Sequence, residues 1–127
     1  MLGRKSVQYV ALELPAPLST NALWRPIKRG SVASMVKSKE YCAWIAEAGY
    51  RLNSQRLDMV EGPYALSIVR DSGARLDLDN CIKSCSDLLQ DHGIVQNDRL
   101  AQKITIERGS VEGGGMSVLV VSTYKVE

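Results

Sequence analysis

The chain has 127 residues, 45% of them hydrophobic, with 16 basic against 14 acidic side chains and a formal net charge of +2. That size and apolar share suffice for one core and predict a single domain over 1–127, while no apolar run approaches the roughly 20 residues that a membrane span needs. The near-balanced charge singles out no partner, the start "MLGRKSVQYVALEL" lacks the pattern of a secretory signal, and Cys42, Cys81 and Cys85 show no CxxC spacing, so a cytoplasmic protein with reduced thiols is expected.

In chain order, "VQYVALEL" alternates, with Val10, Leu12 and Leu14 on one face, and reads as a strand broken by "PAPLSTN". From Arg25 to Lys39 the chain carries Arg25, Lys28, Arg29, Lys37 and Lys39 and meets no acid before Glu40. This basic stretch reads as a solvated loop or as a set of phosphate contacts, with a short strand within 30–36. Tyr41, Trp44, Ile45, Ala48 and Leu52 then recur at helical spacing, which predicts an amphipathic helix over 38–56 with its aromatic stripe turned inward. "GPYALSIVR" is a second strand, with Tyr64, Leu66 and Ile68 on one side.

Next comes "LDLDNCIK", and after it a helical stripe of Ile82, Cys85 and Leu89 that Gly93 can close as a C-terminal cap. "QKITIER" and "SVLVVSTY" alternate again, joined by "GSVEGGGM", whose glycines suit a hairpin connection and lack the Lys-Ser/Thr end of a phosphate loop. The order β, a short β, α, β, α, β, β predicts an α+β fold: a small mixed, mainly antiparallel sheet with two helices.

The acids of "LDLDN" invite two readings. An Asp or Asn before a helix is what an N-cap requires, but one cap explains one residue. If 76–79 are extended, Asp77 and Asp79 share a face while Leu76 and Leu78 turn to the core. Two carboxylates about 4 Å apart repel by about 1 kcal/mol in water and about 4 kcal/mol at an effective dielectric near 20. Lys83, one helical turn after Asp79, can offset this, and so can a hard divalent cation such as Mg²⁺ held by both carboxylates. Asp98, in "VQND", supplies a third acid on the loop after the second helix, where the chain can fold back beside the helix start; Asp71 and Asp91 fall in less suitable places.

Aspartates holding a metal beside a cationic segment are what phosphodiester hydrolysis calls for. Lys83 would stabilise developing charge or place the phosphate, and the basic stretch 25–39 would hold the DNA backbone without reading sequence. A zinc site from Cys81, Cys85 and His92 is disfavoured, because one helix seldom supplies three tetrahedral ligands and the same face carries the core stripe. His92 more simply meets the carbonyls at the helix end.

"LDLDNCIKSCSDLLQDHGIVQND" resembles the central segment of the RusA family of Holliday junction resolvases: Asp-Leu-Asp-Asn, a Lys four residues after the second Asp, a helix ending in Gly, and a further Asp before the next strand. "LPAPLSTNALWR" is similar to the family's strand, Pro-rich turn and Ser-x-Asn segment. The resemblance implies a phage-associated, Mg²⁺-dependent endonuclease of RusA-like fold, with Mn²⁺ as a substitute ion, that acts as a homodimer on four-way DNA in recombination and repair. It further implies Asp77, Asp79 and Asp98 as metal-binding catalytic acids, Lys83 as a base or phosphate contact, and Asn21 and Asn80 as recurrent family positions. Of the family's arginine run before the first Asp, thought to meet DNA, Arg70 and Arg75 remain and Leu76 stands next to Asp77. Two alternatives stand beside a resolvase: a nuclease with broader branched-DNA preference, and a non-catalytic DNA-binding module in which the acids cap a helix.

Overall fold

The computed structural model describes residues 5–16, 24–29, 32–72 and 78–124. Six strands and two helices follow in the order β1 (Tyr9–Leu14), β2 (Trp24–Arg29), β3 (Val32–Lys37), α1 (Lys39–Ser54), β4 (Tyr64–Asp71), α2 (Leu78–Asp91), β5 (Ala101–Gly109) and β6 (Met116–Ser122), with short 3₁₀ turns at Asp98–Leu100 and Glu112–Gly114. The main sheet has four strands in the order β1-β6-β4-β5. β4 and β5 are parallel, and the other two pairings are antiparallel. This is the mixed α+β architecture that the residue pattern predicts.

Period-two burial builds the sheet. Val10, Leu12 and Leu14 of β1, Met116, Val118 and Val120 of β6, and Tyr64, Leu66 and Ile68 of β4 are buried on one face, where they meet Trp44, Ala48 and Leu52 of α1 and Cys81, Cys85 and Leu89 of α2. The Ser38 hydroxyl starts α1 by accepting from the Tyr41 amide at 3.0 Å, and the Trp44 indole donates to the Pro15 carbonyl at 3.3 Å, tying α1 to the end of β1. α2 stops where expected: Gly93 has φ +73°, and the Ile94 amide returns to the Leu89 carbonyl at 2.9 Å.

Two expectations are corrected. "QKITIER" and "SVLVVSTY" do not form a hairpin, because β4 lies between β5 and β6. β6 carries no charged residue and buries one whole side, so it fits between two strands, whereas β5 carries Lys103, Glu107 and Arg108, side chains that suit an edge. The connection then passes tightly beside β1: a Cβ at Gly115 would run into the Leu14 carbonyl oxygen. Second, the basic stretch is a hairpin of two six-residue strands, β2 paired antiparallel with β3 as a separate sheet, rather than a loop with one short strand. Pro26 and three basic residues in "WRPIKR" hide the alternation of β2.

Candidate metal and nucleic-acid site

β4, α2 and β5 form a βαβ unit, so α2 must run back along the sheet and begin at the end of β4 opposite to the start of β5. Asp79 and Asn80 lie in the first turn of α2; their side chains, like Asp77, Arg75 and Asn21 altogether, fall outside the described residues. Asp98 opens the 3₁₀ turn that leads into β5. Its amide donates to Gln90 Oε1 at 2.7 Å, so the chain anchors Asp98 to the last turns of α2 and not beside the helix start. From Asp79 to Gln90 the helix rises about 16 Å.

The same register nonetheless gathers these positions around the axis. At about 100° per residue, positions 79, 83 and 90 fall within about 40° of one another, on one side of α2, and the core residues Cys81, Cys85 and Leu88 face the other way. Lys83 sits on this strip between the two acids. Its ammonium is bonded to Asp87 Oδ1 at 3.1 Å, with side-chain exposures of 71% and 39%. The Asp87 hydrogen bond, then the Asp87 charge, hold the Lys83 pKa above its usual value against slight desolvation, and the Asp98 carboxylate adds to the same effect. Two negative charges toward the C-terminal half of α2 thus draw the ammonium that way. Asp98 also acts on Tyr64 beneath it, whose pKa is raised first by burial and then by the Asp98 charge.

Because both partners are exposed, the Lys83–Asp87 pair is worth about 0.3–0.5 kcal/mol, as for other i, i+4 pairs. A double-mutant cycle of Lys83→Met and Asp87→Asn, read by urea unfolding, is expected to return a coupling of that size. Lys83 is held in place yet free to leave its partner for a phosphate.

Among the described residues no group of three or more His, Cys, Asp or Glu side chains is placed to hold a metal ion. Asp98 is exposed, forms no ion pair among the described residues, and offers the hard oxygen donor that Mg²⁺ prefers. The cysteines have a different character. Cys81 and Cys85 are fully buried, and burial, with Cys81 nearby, pushes the Cys85 thiol up to about 12. That thiol is protonated at neutral pH and poorly suited to zinc. His92 instead lies against α1, where a Cβ on Gly49 would meet its ring at 2.8 Å. A raised folded pKa means that the neutral thiol's contribution to stability is whole below its ordinary value of 9.0 and is lost between there and about 12. Stability should therefore fall as pH rises above about 9, and Cys85→Val should flatten that fall in urea midpoints measured from neutral to alkaline pH.

The cationic residues divide. Lys28 on β2, Lys37 at the end of β3 and Lys39 at the start of α1 are exposed, and the Lys37 ammonium lies 5.8 Å from the centre of the Tyr41 ring. Arg25 and Arg29 are on β2, with side chains outside the described set. Arg70 is corrected: it is 1% exposed, at the end of β4 under α2, and does not belong to an exposed DNA-contacting surface. Its position continues the inward set of Tyr64, Leu66 and Ile68, so the strand's own period could have revealed this. Nη1 donates to Cys81 Sγ at 3.2 Å, while Nε and Nη2 have no hydrogen-bond partner among the described residues.

Residue pattern also missed Gln90, which fastens Asp98, and Asp87, which holds Lys83. Between α1 and α2 lies a cleft of about 190 Å³ bordered by Lys37, Tyr41, Ser84 and Asp87, and Ser84 Oγ in its wall is buried without a hydrogen-bond partner among the described residues. No helix among the described residues is long and apolar enough to cross a membrane. No family model matches the chain, and neither does any curated protein.

Proposed function

We propose that this chain is a Mg²⁺-dependent endodeoxyribonuclease of branched DNA that cuts four-way junctions as a homodimer, in recombination and repair in the cytoplasm. The observation that carries this reading is the strip along α2, which sets Lys83 between the Asp79 position and Asp98, with Asp98 fixed by Gln90 and free of ion pairs among the described residues. Asp77 and Asp79 would hold the metal through oxygen donors that fit a hard cation, and Asp98, anchored about 16 Å further along α2, would complete the set only where it is brought beside them. When bound, the metal polarises a phosphate and lowers the pKa of a water. Lys83 leaves its exposed contact with Asp87 for a non-bridging phosphate oxygen and stabilises charge gathering there. Lys28, Lys37 and Lys39 give the backbone a cationic approach.

The burial of Arg70 favours a second reading, a nuclease less selective for junctions. With Leu76 before Asp77 and Arg70 inside, fewer arginines remain near the acids for a branch point. Labelled four-way junctions, flaps and forks, each with and without Mg²⁺, separate the two. Opposed nicks on junctions alone are expected of the resolvase; equal rates on all three substrates indicate the broader enzyme. Binding without cutting would leave a DNA-binding module.

A further inference from the structure

β1 is an edge strand of the main sheet, and its ladder fixes where its backbone groups point. The Ser122 amide donates to the Gln8 carbonyl at 2.7 Å, and β1 and β6 are antiparallel with Tyr9 opposite Val121. Even-numbered residues of this stretch therefore bond to β6, and odd-numbered ones turn their N–H and C=O outward. Two of the odd positions are already met. The Val7 amide donates to the Met59 carbonyl at 2.8 Å, and Gln55 accepts from the Glu13 amide at 3.0 Å and donates to the Glu13 carbonyl at 2.8 Å. Between these two closures the outward groups of Tyr9 and Ala11 have no hydrogen-bond partner among the described residues.

The chain after α1 leaves a space beside this open stretch. Arg56 follows the helix in the left-handed region, at φ +52°, and the chain meets the start of β1 again only at Met59. A groove of about 380 Å³ lies between, bordered by Val7, Tyr9, Ala11, Arg56, Leu57 and Asp58. Arg56 and Asp58 are exposed and form no ion pair among the described residues, while Leu57 is half-buried against the core. Natural sheets cover their edges or blunt them with charge; here the two ends are fastened and the middle is left open.

We propose that this gap docks an extended peptide segment of a partner protein, which adds to β1 as a further antiparallel strand. The unmet groups select such an occupant. Tyr9 and Ala11 each offer one donor and one acceptor, at the strand repeat of about 6.8 Å, and a second extended backbone presents the complement. In the antiparallel sense, the peptide residues opposite Tyr9 and Ala11 each exchange two bonds with β1. The side chain between them, opposite buried Val10, falls on the helix side of the sheet beside Leu57 and is apolar. Charge sets the flanks. Gln55 stands at Glu13 and Met59 at Val7, so Arg56 lies toward the Ala11 end and Asp58 toward the Tyr9 end. The peptide then reads acid, apolar, base from its N-terminus. β1 and β5 are opposite edges of the sheet and α2 joins β4 to β5, so a partner held at β1 leaves the α2 strip uncovered. The inference does not rest on the proposed nuclease.

An NMR titration of the nitrogen-15-labelled full chain, without DNA or metal, with the blocked peptide acetyl-Thr-Glu-Val-Lys-Thr-amide tests it. The amide signals of Tyr9 and Ala11 should shift with a dissociation constant on the order of 100 µM, as for a small interface. N-methylation of the peptide's Glu or Lys nitrogen, each a donor to β1, should weaken binding by about tenfold or more. N-methylation of its Val nitrogen, which points away from β1, should change it by less than about threefold. Ala11→Pro removes only an outward N–H and should cost about tenfold with the β1–β6 signals in place. Arg56→Glu combined with Asp58→Arg should reverse the preference, toward acetyl-Thr-Lys-Val-Glu-Thr-amide. No shift at millimolar peptide overturns the proposal, as do equal losses on methylating Val and Glu, or undiminished binding to Ala11→Pro. Tyr9 and Ala11 signals that move with protein concentration alone would assign the edge to a second copy and overturn it too. Junction cleavage enters none of these readouts, so a failure of the nuclease reading leaves the result standing.

Discussion

Asp98→Asn should lower Mg²⁺-dependent junction cleavage by about a thousandfold or more, equivalent to about 4 kcal/mol of lost transition-state stabilisation, and leave junction binding in Ca²⁺ within about twofold. The substitution keeps size and hydrogen-bonding shape and removes one charge from an exposed side chain that forms no ion pair among the described residues, so stability should move by less than about 0.5 kcal/mol. Gln90 continues to hold the residue 98 amide, since that bond uses the backbone. A loss of cutting then reports the carboxylate and not a displaced turn. Asp91→Asn is the matched control, an exposed acid at the end of α2 with no assigned role. Because the Asp98 charge raises the pKa of Tyr64 and of Lys83, both should titrate lower in Asp98→Asn. If those pKa values fall while cleavage persists, Asp98 stands where described but does not serve the chemistry.

What could be read beforehand was local. The stripe Tyr41, Trp44, Ala48, Leu52 and the alternations of β1 and β4 record one-sided burial, and burial on one side is a property of short windows. Which strands lie side by side is not. β5 and β6 alternate alike, and only their charge content separates an edge from a centre. The position of Asp98 follows from the sense of the βαβ unit, which cannot be known before β4 and β5 are found parallel. Lys83 has an acid four residues away in either direction, Asp79 and Asp87. Sequence favours the acid on the N-terminal side, whereas the structure pairs Lys83 with Asp87 and adds the Asp98 charge on that side.

Arg70→Met should stabilise the protein by about 1–4 kcal/mol and cut proposed cleavage by tenfold or more. A guanidinium 1% exposed, with Nε and Nη2 lacking partners among the described residues and a thiol as its one described acceptor, has lost water without full replacement there. Desolvating such a cation costs several kcal/mol, and an unbranched apolar side chain of similar length removes that cost and fills the same space. Arg70→Ala should destabilise instead, by about 2–4 kcal/mol, because it leaves a cavity beneath the first turns of α2. The pair separates charge from volume. A protein that keeps an unmet cation under the helix carrying Asp79 and Lys83 is spending stability, and sites that do so are commonly functional. Unfolding in urea at neutral pH decides the sign. If Arg70→Met proves less stable than the wild type by about 3 kcal/mol or more, the guanidinium has an anionic partner outside the described residues. Asp77→Asn and Asp79→Asn, each combined with Arg70→Met, would then locate the partner as the background in which that loss disappears.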